Sequence, residues 1–282
     1  MRFASYISAT GAPTWGAEVD GIIYDLGPTG TNVAASLKQL IERGDFATIE
    51  LDVTGAPQAS VDDVEFLPVI TDPAKIICIG VNYKSHQDET GKPAPAAPTV
   101  FTRFADSQMG HLRPAIRPDT TTQFDYEGEM ALVIGKPAHR VSEADALGVI
   151  AGYAAYNDFS VRDWQRAASQ WIPGKNFPHT GAFGPFLVPA SQIPDVGTLT
   201  LETRVNGEIR QSASVADLVF TIPQLIAYVT GFTPLAPGDV IVTGTPGGVG
   251  LFMEPQAMLV GGDVVEVEIT GLGVLKNSVV QG

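Results

Sequence analysis

Two carboxylates lead directly into an apolar run in the stretch Asp125-Tyr126-Glu127-Gly128-Glu129-Met130-Ala131-Leu132-Val133-Ile134. Residues 127–134 predict a strand. Its side chains alternate between faces, so Glu127 and Glu129 point the same way with their Cα atoms about 7 Å apart. Apolar residues follow on both faces, which predicts a strand buried on both sides. Two buried carboxylates cost free energy unless a cation compensates them. The stretch therefore indicates either a divalent-cation site or a solvated strand end.

A third carboxylate, Asp158, ends another apolar strand just before a predicted helix. It is either a turn residue or, if it faces Glu127 and Glu129, a third oxygen ligand. Three carboxylates without Cys or His favour a hard cation, Mg²⁺ or Mn²⁺, over zinc. Such a site stays negatively charged, which favours a further positive group nearby. Lys175 is the candidate, with an ordinary surface lysine as the alternative.

A polar segment follows the apolar strand 76–79 and carries His86 and Glu89 three residues apart. In a short helix the two side chains share a face, and a histidine paired with a carboxylate can deprotonate water near neutral pH. A polar surface helix is the alternative interpretation. The loop 90–95 that comes next is predicted to be mobile, which would let the helix act as a lid.

A Gly-rich turn at 242–250 includes Gly244 and Thr245. Its backbone N–H groups and hydroxyls can bind an anion, although a plain tight turn explains the pattern equally well. The turn lacks the lysine of a Walker motif and the spacing of a dinucleotide fingerprint, which argues against nucleotide binding.

Charge and cysteine content narrow the class of protein. The 282 residues include 17 Lys and Arg against 31 Asp and Glu, a net charge of −14. Such a surface repels phosphate backbones, so we expect neither a nucleic acid nor a membrane as partner. An anionic substrate would then need a cation within its site. The single cysteine, Cys78, lies in an apolar run and is predicted to be buried. Because the N-terminus lacks a signal-peptide pattern, we expect a cytoplasmic protein.

Short strands and turns dominate the chain, which contains 30 glycines and 21 prolines. Three strands and a short helix in residues 1–70 predict a small N-terminal domain, and residues 71–282 a larger one. Asn206-Gly207 predicts a type I′ hairpin, and residues 221–230 a helix that Gly231 closes. Strands and helices do not alternate as βαβ units, so the pattern predicts an α+β fold.

Together these segments resemble the fumarylacetoacetate hydrolase superfamily, from about residue 75 to the C-terminus. The most specific segments are the Glu-x-Glu strand with the later Asp158, then Gly174-Lys175-Asn176-Phe177 and Thr243-Gly244-Thr245-Pro246, in that order along the chain. The resemblance implies a mixed β-sandwich roll with a small N-terminal domain, usually as a homodimer.

The resemblance also implies Mg²⁺ or Mn²⁺ on Glu127, Glu129 and Asp158, with Lys175 beside the ion. In members that hydrolyse acylpyruvates, a His-x-x-Glu pair in a lid acts on water, and this pattern falls on the residues 86 and 89 of this chain.

Four further residues are candidates for substrate contacts. Thr245 and the adjacent backbone, including Gly244, are implied to hold the substrate carboxylate. Arg103 is implied to contact a substrate carboxylate too, at a position where many members carry a lysine. His179 either contacts the distal part of the substrate or has a structural role.

The resemblance implies a small 2-oxo acid as substrate. The main expectation is a metal-dependent hydrolase that cleaves a carbon–carbon bond in acylpyruvate-like 2,4-diketo acids, giving pyruvate and a carboxylic acid. The same metal site supports an alternative, a decarboxylase, isomerase or hydratase of 2-oxo acids, including dicarboxylic acids such as oxaloacetate. A non-catalytic binder of small oxo acids is the remaining alternative.

Overall fold

The computed structural model of the protein describes residues 1–44, 46–49, 51–91 and 95–282. Half of the loop that was predicted to be mobile, namely residues 92–94, lies outside the described residues. The strands are β1 (Arg2–Ile7), β2 (Pro13–Val19), β3 (Ile22–Asp25), β4 (Gln58–Ser60), β5 (Glu65–Phe66), β6 (Ile76–Gly80), β7 (Thr99–Arg103), β8 (Gln108–Met109), β9 (Ala115–Arg117), β10 (Phe124–Asp125), β11 (Gly128–Ile134), β12 (Ile150–Asp158), β13 (Ser160–Val161), β14 (Gly181–Pro189), β15 (Thr200–Val205), β16 (Glu208–Ser214), β17 (Val240–Val242), β18 (Val264–Ile269) and β19 (Gly273–Gln281). The α-helices are α1 (Leu37–Ile41), α2 (Lys84–Thr90), α3 (Arg162–Arg166), α4 (Ile172–Lys175) and α5 (Ile222–Phe232).

Two sheets form the body of the fold. The larger sheet has the order β4-β3-β2-β1-β14-β12-β11-β17-β6-β7, with β5 paired to β1 and β8 paired to β14. The smaller sheet has the order β16-β15-β18-β19-β9. Parallel pairs such as β17 with β6 occur among antiparallel ones, so both sheets are mixed. The predicted α+β class and the mixed β-sandwich roll are confirmed.

Strand β11 lies at the centre of the larger sheet, and all of its residues are buried. Leu132 on one face belongs to a core shared with Val267 of the smaller sheet. Val133 on the other face belongs to a second core that includes Phe3 and Trp15. The prediction that this strand is buried on both sides is therefore confirmed.

The first 25 residues extend the same sheet, because Phe3 of β1 pairs with Leu187 of β14. Helix α1 and the segment around Phe46 contribute apolar side chains to the core below β11. The division into domains at residue 70 stays a prediction.

Two local predictions can be compared directly with the structure. Asn206 and Gly207 adopt φ angles of 53° and 80°, as a type I′ hairpin requires, and that prediction is confirmed. The end predicted for the later helix is wrong, because Gly231 lies within α5 and Thr233 caps it. No described helix has the length and apolar character needed to cross a membrane.

Partly buried His111 is expected to make the stability of the protein depend on pH. Burial, with a smaller effect of Lys276, lowers its pKa to about 4, and its Nδ1 accepts a hydrogen bond from the Lys276 N–H at 3.0 Å. Since the unfolded chain takes up this proton at higher pH, stability falls as pH drops from about 6.5 towards 4. We expect His111→Asn, which can keep an acceptor, to reduce the loss of unfolding free energy between pH 7.5 and 5 by about 1–2 kcal/mol. Urea unfolding at several pH values measures this difference. The same change of unfolding free energy with pH in the wild type and in His111→Asn would refute the prediction.

Candidate active site

Three buried carboxylates meet where β11 and β12 pair. Glu127 lies just before β11, Glu129 is the second residue of β11, and Asp158 ends β12. The Asp158 N–H donates to the Glu127 carbonyl at 2.9 Å, which continues the ladder between the two strands. One carboxylate oxygen of each residue lies within 4.8 Å of the other two. The three residues therefore face one another, which is the arrangement that the metal-site alternative requires.

Three cationic side chains surround these carboxylates. Lys175 Nζ donates to Glu127 Oε2 at 2.6 Å and to Asp158 Oδ2 at 2.8 Å. Arg162 donates to the other oxygen of Glu127, and Arg103 donates to the other oxygen of Asp158. Burial alone would raise the pKa of Glu127, but Lys175 and Arg162 outweigh it and lower the pKa to about 2.

A close contact between two short helices places Lys175 beside the carboxylates. Lys175 ends α4, and a Cβ atom on Gly174 would lie 2.4 Å from the backbone nitrogen of Gln165 in α3. Only glycine lets the two helices approach so closely. The lysine is fully buried and lies 5.1 Å from the centre of the Phe101 ring.

Of the three carboxylates, Glu129 is the one whose negative charge is least compensated by cationic side chains. Its Oε2 accepts a hydrogen bond from the Gly244 N–H at 2.6 Å. Burial and the neighbouring carboxylates of Asp158 and Glu127 raise its pKa well above the ordinary range. The cluster offers three oxygen donors, and Glu129 forms no ion pair with the three cations around it, so the set fits a hard divalent cation such as Mg²⁺ or Mn²⁺.

His86 and Glu89 form the predicted pair on helix α2. His86 Nδ1 and Glu89 Oε2 are 3.0 Å apart. The second oxygen of Glu89 accepts the Gly248 N–H at 2.6 Å, so the glutamate is held from both sides. An imidazole that donates through Nδ1 keeps a lone pair on Nε2 for proton transfer.

Thr245 lies on a loop that is fixed from behind by the hairpin β15–β16. Gln211 donates to Thr245 Oγ1 at 2.8 Å and accepts the Gly128 N–H at 3.0 Å. The Thr245 hydroxyl in turn donates to the Gly128 carbonyl at 2.9 Å. The hydroxyl proton of Thr245 is therefore already used within the protein, and the implied substrate contacts of Thr245 and Gly244 stay predictions.

These groups surround a cavity of about 280 Å³, large enough for a small organic acid. Its apolar wall includes Phe101, Trp171, Leu251 and Phe252. Its polar wall consists of His86, Thr90, Glu127, Glu129, Arg162, Gln165, Arg166, Lys175 and Thr245.

The sequence analysis missed three residues of the polar wall, namely Arg162, Gln165 and Arg166. They lie on one face of α3, and their spacing of three and four residues directly after Asp158 was the available signal. Arg162 is buried, and its Nε donates to Asp125 at 2.8 Å.

Five predicted residues do not line the cavity: Glu89, Arg103, Asp158, His179 and Gly244. Arg103 is fully buried behind Asp158 and also donates to Thr180 Oγ1 at 2.7 Å. His179 adopts a positive φ of 56°, and its carbonyl accepts the Ile116 N–H at 3.2 Å. The geometry gives no support to substrate contacts by Arg103 or His179, and these two assignments stay predictions.

An enclosed cavity with a carboxylate cluster, a histidine–glutamate pair and several cations defines an enzyme site for a small molecule. A model of the fumarylacetoacetate (FAA) hydrolase C-terminal family matches residues 75–280. The chain is therefore an enzyme of the fumarylacetoacetate hydrolase family, as its sequence predicted.

The chain is also similar to curated proteins whose names give an activity. The chain is 38% identical over 266 residues to the mitochondrial oxaloacetate tautomerase Fahd2a of Rattus norvegicus, covering 93% of this chain and 85% of the relative. It is also 38% identical over 265 residues to the oxaloacetate tautomerase YisK of Bacillus subtilis, covering 93% and 87% respectively.

Solved structures agree on the fold. A fumarylacetoacetate hydrolase from Exiguobacterium antarcticum is 34% identical with a TM-score of 0.88, and all of both chains is covered. A maleylpyruvate hydrolase from Sphingobium sp. SYK-6, solved with a manganese(II) ion and pyruvate, is 28% identical with a TM-score of 0.82, also over both full chains.

The main functional expectation, carbon–carbon hydrolysis of acylpyruvates, is wrong. Relatives that match nearly the whole chain at 37–38% identity are named oxaloacetate tautomerases, which supports the alternative instead. The physical reason for the error is that a histidine–glutamate base can act on water or on a carbon acid, and its sequence spacing is the same in both. The homodimer and the cytoplasmic location stay predictions.

Proposed function

We propose that the protein is a metal-dependent tautomerase of oxaloacetate, interconverting the keto and enol forms of this 2-oxo dicarboxylic acid. The observation that carries the proposal is the 38% identity to the Rattus norvegicus oxaloacetate tautomerase over 93% of the chain. The cavity supports this proposal because it contains what the reaction needs, namely a base next to a cluster of charged side chains that can stabilise an oxyanion.

We propose that Glu127, Glu129 and Asp158 hold Mg²⁺ or Mn²⁺. Their oxygen-only donor set and mutual distances fit such an ion. When bound, the ion would act as a Lewis acid that stabilises negative charge on the 2-oxo oxygen.

The histidine–glutamate pair supplies the proton carrier. In the keto-to-enol direction the C3–H bond breaks, its electron pair forms the C2–C3 double bond, and the C2 oxygen takes up the same proton from the His86 imidazolium. His86 Nε2 accepts the C3 proton while Glu89 holds Nδ1–H and stabilises the imidazolium that forms. The reverse direction returns this proton to C3, so no water or redox partner is consumed.

Lys175 stabilises the oxygen that gains charge in this step. Its ammonium group has three N–H donors, and two of them contact Glu127 and Asp158. Because Lys175 lines the cavity, the third donor can serve the 2-oxo oxygen of the substrate.

Replacing the base should separate catalysis from metal binding. We expect His86→Gln to lower kcat for tautomerisation by about 10²–10⁴-fold, the usual contribution of a general base, with unchanged Mn²⁺ affinity. His139→Gln, at an exposed histidine, is the matched control. A kcat within twofold of the wild type would remove His86 from the mechanism.

The proposal itself is tested by following the ultraviolet absorbance of enol-oxaloacetate after dilution into neutral buffer. We expect the wild-type protein with Mg²⁺ or Mn²⁺ to accelerate the decay of the enol, and EDTA to abolish the acceleration. A decay equal to that of the buffer blank at every protein concentration would refute the proposed function.

A further inference from the structure

Three permanently cationic side chains line the cavity: Arg162, Arg166 and Lys175. Two of them are already neutralised by buried carboxylates. Lys175 lies between Glu127 and Asp158, and Arg162 contacts Asp125 and Glu127. The positive charges of Lys175 and Arg162 therefore stabilise the buried carboxylates and contribute little to the binding of a further anion.

Arg166 differs from the other two because its partners in the described part of the chain are neutral. Its Nη2 donates to the side-chain carbonyl of Gln123 at 3.1 Å, and its Nε lies 3.4 Å from the Arg162 carbonyl oxygen. A guanidinium has five N–H donors, so most of them stay free. Arg166 is therefore a cavity-lining cation whose charge is balanced by no carboxylate among the described residues.

The position of Arg166 suits a ligand that extends outward from the carboxylate cluster. It shares one face of α3 with Arg162, one helical turn or about 5 Å further along the axis. Arg162 is buried against Glu127, whereas Arg166 is exposed at the mouth of the cavity. A short acid bound at the cluster by its 2-oxo end would point its other end towards this mouth.

We propose that Arg166 binds the second carboxylate of the substrate and so selects 2-oxo dicarboxylic acids over 2-oxo monocarboxylic acids. This inference rests on the proposed function, since it assigns a partner to the distal carboxylate of the same substrate. In a protein with a net charge of −14, an unbalanced arginine at the entrance also attracts a dianion more strongly than a monoanion.

The test compares two probes on the Mn²⁺-loaded protein by calorimetry. Pyruvate carries only the 2-oxo acid end, whereas 3,3-difluoro-oxaloacetate carries both carboxylates and has no C3 hydrogen to transfer. We expect Arg166→Met to weaken binding of the difluoro compound about tenfold, as for the loss of a charge-assisted hydrogen bond, and to change pyruvate binding less than twofold. Arg140→Met, at an exposed arginine outside the cavity, should change neither.

Three results would overturn the inference: equal weakening of both probes by Arg166→Met, no weakening of either, or the same selective weakening by Arg140→Met. Wild-type protein that binds the difluoro compound no more tightly than pyruvate would overturn it as well. Because neither probe reports turnover, failure of tautomerase activity in the enol assay is a separate outcome that refutes the proposed function alone.

Discussion

Glu129→Gln is expected to abolish Mn²⁺ retention and to lower turnover about a thousandfold. The variant should still fold, and in the absence of metal it should be more stable than the wild type. Glu129 is 1% exposed and faces the carboxylates of Asp158 and Glu127. Glutamine keeps an acceptor for the Gly244 N–H and removes the unfavourable charge. In the metal-free protein we expect a gain of about 1–2 kcal/mol, because a buried, poorly paired charge is lost.

The direction of the pH dependence gives a second readout for this variant. Because the pKa of Glu129 is raised in the folded protein, the unfolded chain loses this proton first as pH rises from the acid range. Wild-type stability in EDTA should therefore fall as pH rises above the ordinary range of a glutamate, and the variant should lack that contribution. Urea unfolding and Mn²⁺ titration measure the two effects, with the exposed Glu143→Gln as control. Wild-type Mn²⁺ affinity in Glu129→Gln would exclude Glu129 as a ligand.

Lys175→Met is expected to be the most destabilising single change in the site. The methionine can replace the apolar stem next to Phe101 but leaves Glu127 and Asp158 facing each other without their shared cation. Breaking a buried ion pair from one side costs about 3–5 kcal/mol, and here Glu127 and Asp158 keep only one arginine each, Arg162 and Arg103 respectively. We also expect turnover to be lost, since the same ammonium group serves the substrate oxygen in the proposed mechanism.

Urea unfolding at pH 7.5 measures this effect, and Lys136→Met, at an exposed lysine, is the matched control. A variant as stable as the wild type at pH 7.5 would show that Lys175 does not compensate the two carboxylates.

The parts of the site that the sequence predicted depend on short spacings. Glu127 and Glu129 are one pleat apart, and His86 and Glu89 are one helical turn apart, so local geometry alone brings each pair together. The sequence places Asp158 at the end of an apolar strand but leaves open whether it faces the two glutamates, and the family resemblance assigned both Asp158 and Lys175 to the site.

The parts that were missed depend on long-range packing. The helical spacing after Asp158 does not show that Arg162 is buried, because its burial is set by pairing with Asp125, 37 residues away, across β10 and β13. Arg103 was assigned to the substrate, yet the pairing of β7 with β6 directs it behind Asp158. Which face of a strand points towards the site depends on tertiary packing. The alternation of side chains along the strand could therefore not predict it.

The choice between hydrolysis and tautomerisation was beyond the sequence pattern for a chemical reason. Both reactions need a base next to a cluster that stabilises an oxyanion at C2. His86 and Glu89 have the same spacing whether the proton they remove comes from water or from C3. The distinction between the two reactions came from relatives that match nearly the whole chain and are named oxaloacetate tautomerases.

The most direct test of the central claim is a proton NMR time course of oxaloacetate with the protein and Mg²⁺, which follows the keto form, the enol form and pyruvate together. We predict faster equilibration of the keto and enol forms, no pyruvate beyond the protein-free blank, and loss of the acceleration in EDTA. Pyruvate formed in step with the disappearance of oxaloacetate, or equilibration no faster than in the blank, would contradict the account.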